Sequence, residues 1–253
     1  MRKRELIRCV QTCICGVIIA QFSLVLANNK LLEFVSTERY KVSERDILNI
    51  IFMTNDYKIY PYIDSRDIIF LLFIFSFYFV GIIIANYTYL RNSGNYYSFT
   101  YSRIGSKKGV IKYMKQGTVI RMICYTLTYS SICYLGASIC MLNYDKTKNV
   151  LSYPLIIETI LHSLIIILAL IFLQKIVFIV YVKSNSANAL LCAVLVITIM
   201  LAIDLQVDKY SIILFSSHYH YIDSIAFFLV IICILDFVEK KVYIELPCEE
   251  GER

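Results

Sequence analysis

Residues 155–182 read LIIETILHSLIIILALIFLQKIVFIVYV, and Glu158 and Lys175 are the only charged side chains in that run. As a helix the stretch is about 42 Å long at ~1.5 Å per residue, enough to cross a ~30 Å hydrocarbon core with length to spare. Apolar residues fill every face. The alternation of a lipid-facing barrel strand is missing, and so is the one-sided stripe of a surface helix. In lipid the backbone must satisfy its own hydrogen bonds, so the run reads as a membrane-spanning helix.

Similar runs lie on either side, at residues 8–27, 68–85, 117–142, 187–203 and 222–238. They explain a hydrophobic content of 58% and a mean hydropathy of +0.66, both far from ordinary soluble usage. The expectation is an all-α, polytopic membrane protein with six transmembrane helices, forming one transmembrane domain over residues 1–253. Arg121 falls within the third run and Asp236 in the last turns of the sixth. Both are expected at an interface, where a charge costs far less than at mid-bilayer.

Orientation follows from lysine and arginine. Arg2, Lys3, Arg4 and Arg8 precede the first run, and Arg91, Arg103, Lys107, Lys108, Lys112 and Lys115 fall between the second and third, with no acidic residue from Asn86 to Gln116. That bias places residues 86–116 and both termini in the cytoplasm, and residues 28–67 in an outer loop whose basic residues are mixed with acids such as Glu33 and Asp46. The small-residue pattern Val25-Leu26-Ala27 also fits a signal peptide, but the apolar stretch is longer than a usual signal core, and an uncleaved anchor is expected. The nine cysteines are an odd number placed almost entirely inside apolar runs, where cysteine packs as a small hydrophobe. No disulfide framework or metal site is implied.

Within the outer loop, Ser43-Glu44-Arg45-Asp46 followed by Ile47, Leu48, Ile50, Ile51 and Phe52 has the form of a capped helix start. Its broad apolar face predicts a short helix lying on the outer membrane surface, with Tyr57, Tyr60 and Tyr62 at headgroup level before the second crossing.

The cytoplasmic loop carries the most informative pattern. Ser106 is placed to cap a helix beginning at Lys107, on which Lys108, Lys112 and Lys115 share one face while Val110, Ile111 and Met114 lie towards the other. Such an amphipathic helix would run along the inner surface into the third crossing. Lysines in its first turn oppose the helix dipole at about 0.3–1 kcal/mol each, so local helix stability does not explain them. Attraction to anionic lipid and enforcement of topology explain them, as does an acidic groove on a partner.

The basic tail, the aromatic-rich loop with Tyr101-Ser102-Arg103-Ile104-Gly105-Ser106-Lys107-Lys108, the amphipathic lead into the third helix and the six-helix count together resemble the permease subunits of type-2 ABC exporters. The small permeases of bacteriocin or lantibiotic export and immunity are the most similar, with the sequence likeness concentrated over residues 86–142. The resemblance implies a coupling helix that rests in a groove of a separate ABC ATPase, with Arg103, Gly105, Ser106, Lys107, Lys108 and Lys112 at the contact. It also implies a second permease copy, in a homo- or heterodimer, in the plasma membrane. ATP and Mg would sit on the ATPase, with no cofactor on this chain and no nucleic-acid partner. The long first outer loop and the short connection over residues 204–221 depart from that pattern.

This chain has no Gly-x4-Gly-Lys-Ser/Thr spacing, so ATP hydrolysis is expected elsewhere. Within the crossings, Gln21 is the candidate to face a protein interface or substrate path, with Thr128, Ser130 and Ser131 as possible partners; helix-to-helix hydrogen bonding is the simpler role for such groups. Glu158 and His162 share a helical face, and His218, His220 and Asp223 form a small polar cluster in the last outer loop. Lys175 is expected to snorkel from the inner end of the fourth crossing. A non-transporting immunity or sensor protein that binds a peptide or lipid is the alternative function. No catalytic constellation is evident.

Overall fold

Apolar helices in lipid gain little by burying apolar surface against one another, so their assembly rests on close backbone approach and on pairing of polar groups. Both devices are present in the computed structural model, which describes residues 3–38, 44–52, 68–90, 100, 102–144, 153–206 and 221–244. The helices are α1 (Lys3–Glu38), α2 (Glu44–Ile51), α3 (Ile68–Leu90), α4 (Lys107–Lys115), α5 (Thr118–Tyr144), α6 (Tyr153–Lys183), α7 (Ser186–Gln206) and α8 (Tyr221–Ile244). No strand occurs among the described residues.

Five helices are long and apolar enough to cross a membrane, and Leu71–Tyr87 of α3 is a shorter apolar stretch. All are longer than their apolar runs, because hydropathy marks where polar residues begin and a helix continues past them into the headgroup region. The difference is largest at α1, which extends to Glu38 through residues 28–38, expected as loop.

Central α6 buries Ala169, Leu170, Leu173, Val177 and Phe178 completely, and α5, α7, α8 and α3 pack around it. α1 packs chiefly on α5 through small residues. A Cβ added at Gly16 would stand 2.9 Å from the Tyr125 carbonyl oxygen, and one at Gly136 would run into the Leu24 side chain. Thr12, Ala20, Ser23 and Ala27 continue the tight face, each at most 1% exposed.

α2 corrects an expectation. It lies inside the bundle, against α1 and α5, and not on an outer membrane surface. Ile47 and Ile51 are fully buried, and the Phe52 ring meets Tyr129 and His162 edge-on at centroid distances of 6.0 and 5.2 Å. The Ser23 hydroxyl donates to the carbonyl of Ile51 at 2.7 Å. Ser23 belongs to the apolar span Glu5–Asn29, about 9 Å from its end at ~1.5 Å per residue, so the end of α2 reaches membrane depth. Phe52, where the helix ends, is 4% exposed, and Ser23 satisfies an end carbonyl. Ser43, Tyr57, Tyr60, Tyr62, His218 and His220 lie outside the described residues.

Candidate functional site

The chain approaches α4 through a helical turn at residues 102–104 and then Gly105, whose φ of +70° favours glycine. Ser106 is extended, and its hydroxyl accepts a hydrogen bond from the Gly109 amide at 3.2 Å, the expected cap. Gly109 makes room for that cap: a Cβ there would lie 2.6 Å from Ser106 Oγ and 2.7 Å from Ile104 Cγ2.

On α4, Val110, Ile111 and Met114 are buried, whereas Lys112 and Tyr113 are exposed. Arg103, Ile104, Gly105 and Ser106 are exposed beside them, forming one continuous surface. Lys107 and Lys108 open the helix, but their side chains lie outside the described residues. α4 does not run on into α5. The Gln116 amide turns back to the Tyr113 carbonyl at 3.2 Å, Gly117 takes φ +74°, and α5 starts afresh at Thr118. The helical period of the sequence spans this break, and only the glycine marks it.

Two charge networks hold this end of the bundle. Arg121, 2% exposed, donates from Nε and Nη2 to the Ala85 carbonyl at 3.1 and 2.6 Å and pairs with Glu5 at 2.9 Å. It thereby ties the starts of α1 and α5 to α3, and its burial among fixed acceptors replaces the interfacial water the sequence implied. In the second network Lys115 pairs with Glu239 of α8, and its ammonium stands 4.7 Å from the centre of the Phe178 ring of α6. Lys175 of α6 pairs with Asp236 and reaches Glu239 at 3.3 Å. Lys175 is 9% exposed and does not snorkel, because buried Glu239 and half-exposed Asp236 on the neighbouring helix pair with it. Sequence reasoning treated these charges singly. The available signal was opposite charges, Lys175 and Asp236, inside separate apolar runs.

The other candidates divide. Gln21 is exposed, turned away from α5, while neighbouring Ala20 is buried. Thr128 meets the α1 backbone at Gly16. Ser130 and Ser131 line a groove of 470 Å³ between α5 and α6, with Tyr134, Thr159 and Ser163 adding further hydroxyls to an otherwise apolar wall. Thr159 and Ser163 donate to carbonyls one turn back, at 2.8 and 2.7 Å. The buried Ser130 hydroxyl has no hydrogen-bond partner among the described residues. His162, 4% exposed, packs on Phe52 and does not line the groove.

Comparison with known proteins gives no match: no family model, curated protein or solved structure is similar to this chain. The chemistry of the site therefore carries the functional argument. A capped helix, exposed on one face, is joined by ion pairing to α8 and, through Lys175, to α6.

Proposed function

We propose that this chain is the membrane subunit of an ATP-driven exporter in the plasma membrane, with six crossings and both termini cytoplasmic. α3 supplies the sixth crossing. A separate ATPase, two copies acting on two permeases, docks on the surface formed by Arg103, Gly105, Ser106, Lys107, Lys108 and Lys112. The observation that carries the reading is α4 itself, exposed on one face and ion-paired through Lys115 to Glu239 on the other. ATP-dependent closure of the ATPase pair moves α4, and the Lys115–Glu239–Lys175 network passes that motion to α8 and α6. The groove beside Ser130 and Ser131 suits a hydrophobic compound, lipid or apolar peptide segment that offers a hydrogen-bonding group to a buried hydroxyl.

The same groove favours a second reading, a non-transporting immunity or sensor protein that holds a peptide or lipid. Under that reading α4 is a lipid anchor, each lysine worth about 1 kcal/mol near an anionic surface. Ile104→Trp and Tyr113→Trp keep the charge and the affinity for headgroups while changing the surface shape. The exporter reading expects both to loosen the ATPase complex and reduce substrate-stimulated ATP hydrolysis, with Lys112→Gln milder. A normal complex with both tryptophans, together with graded loss as lysines are removed, overturns the docking assignment. A neighbouring gene encoding a Walker A motif supports the exporter cheaply.

A further inference from the structure

α1 has two unlike faces. The small residues described above close on α5, and the opposite side is exposed at its described positions from Leu6 to Leu32. At the centre of that exposed side lie Gln11, Ile14, Ile18, Gln21, Val25 and Asn28, all exposed and spaced alternately three and four apart. A strict 3.5-residue period is the seam of a left-handed coiled coil and drifts off the face of a straight helix.

The apolar members of this seam suit lipid and need no partner. The amides do not. Gln21 lies within the apolar span Glu5–Asn29, about 12 Å from its outer end, and its carboxamide makes no hydrogen bond among the described residues. An amide carries two donors and an acceptor, and hydrocarbon offers neither.

We propose that this face of α1 binds the same face of a second copy of the chain, in parallel, with Gln21 meeting Gln21 and with Gln11 and Asn28 fixing the register. An amide complements itself, and a two-fold axis along the seam brings each amide to its equivalent at the same depth. An unrelated helix would need polar groups matched at three depths. Gln11, Ile18 and Val25 occupy one heptad position of the seam and Ile14, Gln21 and Asn28 the other, so each amide has its own layer. From Gln11 to Asn28 the seam carries no charged residue, and Arg8, off the seam, pairs with Glu5 at 2.8 Å. The proposal rests on the exporter reading for the need of two copies, but the contact itself requires only this chain.

The test is photo-crosslinking in vesicles holding the chain without any ATPase, with two differently tagged full-length copies. Photoreactive residues at positions 14, 18 and 25 should give a product carrying both tags. Equally lipid-exposed positions on other helices, Ile139 of α5 and Leu195 of α7, should not. Gln21→Leu should weaken association about 5- to 30-fold, the range reached by amide pairs between membrane helices, and Gln21→Asn should retain most of it. Equal yields at seam and control positions, or seam crosslinks indifferent to Gln21→Leu, overturn the proposal. ATPase binding by a chain that fails to crosslink at the seam sinks the seam alone. Seam crosslinks without any ATPase partner sink the exporter reading alone.

Discussion

Lys115, at the end of α4, forms an ion pair with Glu239, near the end of α8, and Glu239 also lies 3.3 Å from Lys175 of α6. The Glu239 side chain is only 4% exposed. A carboxylate so enclosed depends on its cations, because removing one partner of a buried pair leaves an uncompensated charge. Lys115→Met should lower stability in detergent by about 1–3 kcal/mol, below the ~3–5 kcal/mol of a fully buried pair because the Lys115 side chain keeps 26% exposure. Lys115→Met with Glu239→Gln should recover much of that loss, since Lys175 retains Asp236. A double-mutant cycle on thermal unfolding measures the coupling, and simple additivity would show that the pair carries none.

Arg121 offers a sharper contrast. Its guanidinium reaches the Ala85 carbonyl with two nitrogens and Glu5 with a third. Lysine keeps the charge and loses the fork. Arg121→Lys should therefore cost roughly half as much as Arg121→Ala, which strands Glu5 and should cost on the order of 3 kcal/mol. Equal melting temperatures for Arg121→Lys and the unaltered protein would mean that the charge alone matters.

The apolar runs made the membrane helices legible, because twenty apolar residues have few other uses. The capped α4 was equally legible, since Ser106 and the lysine and apolar periods agree. The helix α2 was legible too, but its place was not: Ile47, Leu48 and Ile51 make the same apolar face whether lipid or protein covers it, and only contacts such as that of Ser23 decide. The groove hydroxyls Ser130 and Ser131 were named from sequence, but their partners from α6, Thr159 and Ser163, depend on which helices touch. Ion pairs such as Lys115 with Glu239 join residues far apart in the chain, and no local pattern encodes them.

Close approach of α1 to α5 gives a ranking. At Gly16 an added methyl meets the Tyr125 backbone, which cannot rotate away, whereas at Gly136 it meets the end of the Leu24 side chain, which can. Gly16→Ala should destabilise the protein more than Gly136→Ala, by about 1–3 kcal/mol against about 1 kcal/mol or less. Thermal unfolding of the two variants checks the order, and a reversed order would place the tightest contact elsewhere.

The cap on α4 predicts a local effect. Ser106→Ala removes the acceptor for the Gly109 amide and should cost about 1 kcal/mol. Hydrogen exchange in residues 107–115 should speed up about fivefold, with α5 and α6 unchanged. Unaltered exchange in α4 would show that bundle contacts at Val110 and Met114 hold the helix without its cap.

The central claim is that the exposed face of α4 docks a soluble ATPase. Tyr113 is 44% exposed on that face and lies between Lys112 and the buried Met114. The most direct measurement places a photo-crosslinking residue at position 113 in the full-length chain, in its native membranes, and identifies the products by mass spectrometry with and without a non-hydrolysable ATP analogue. The account predicts a crosslink to one soluble protein containing a Walker A motif, with a yield that changes when the nucleotide is bound. Crosslinks to lipid alone, or to proteins without a nucleotide-binding site, would contradict it.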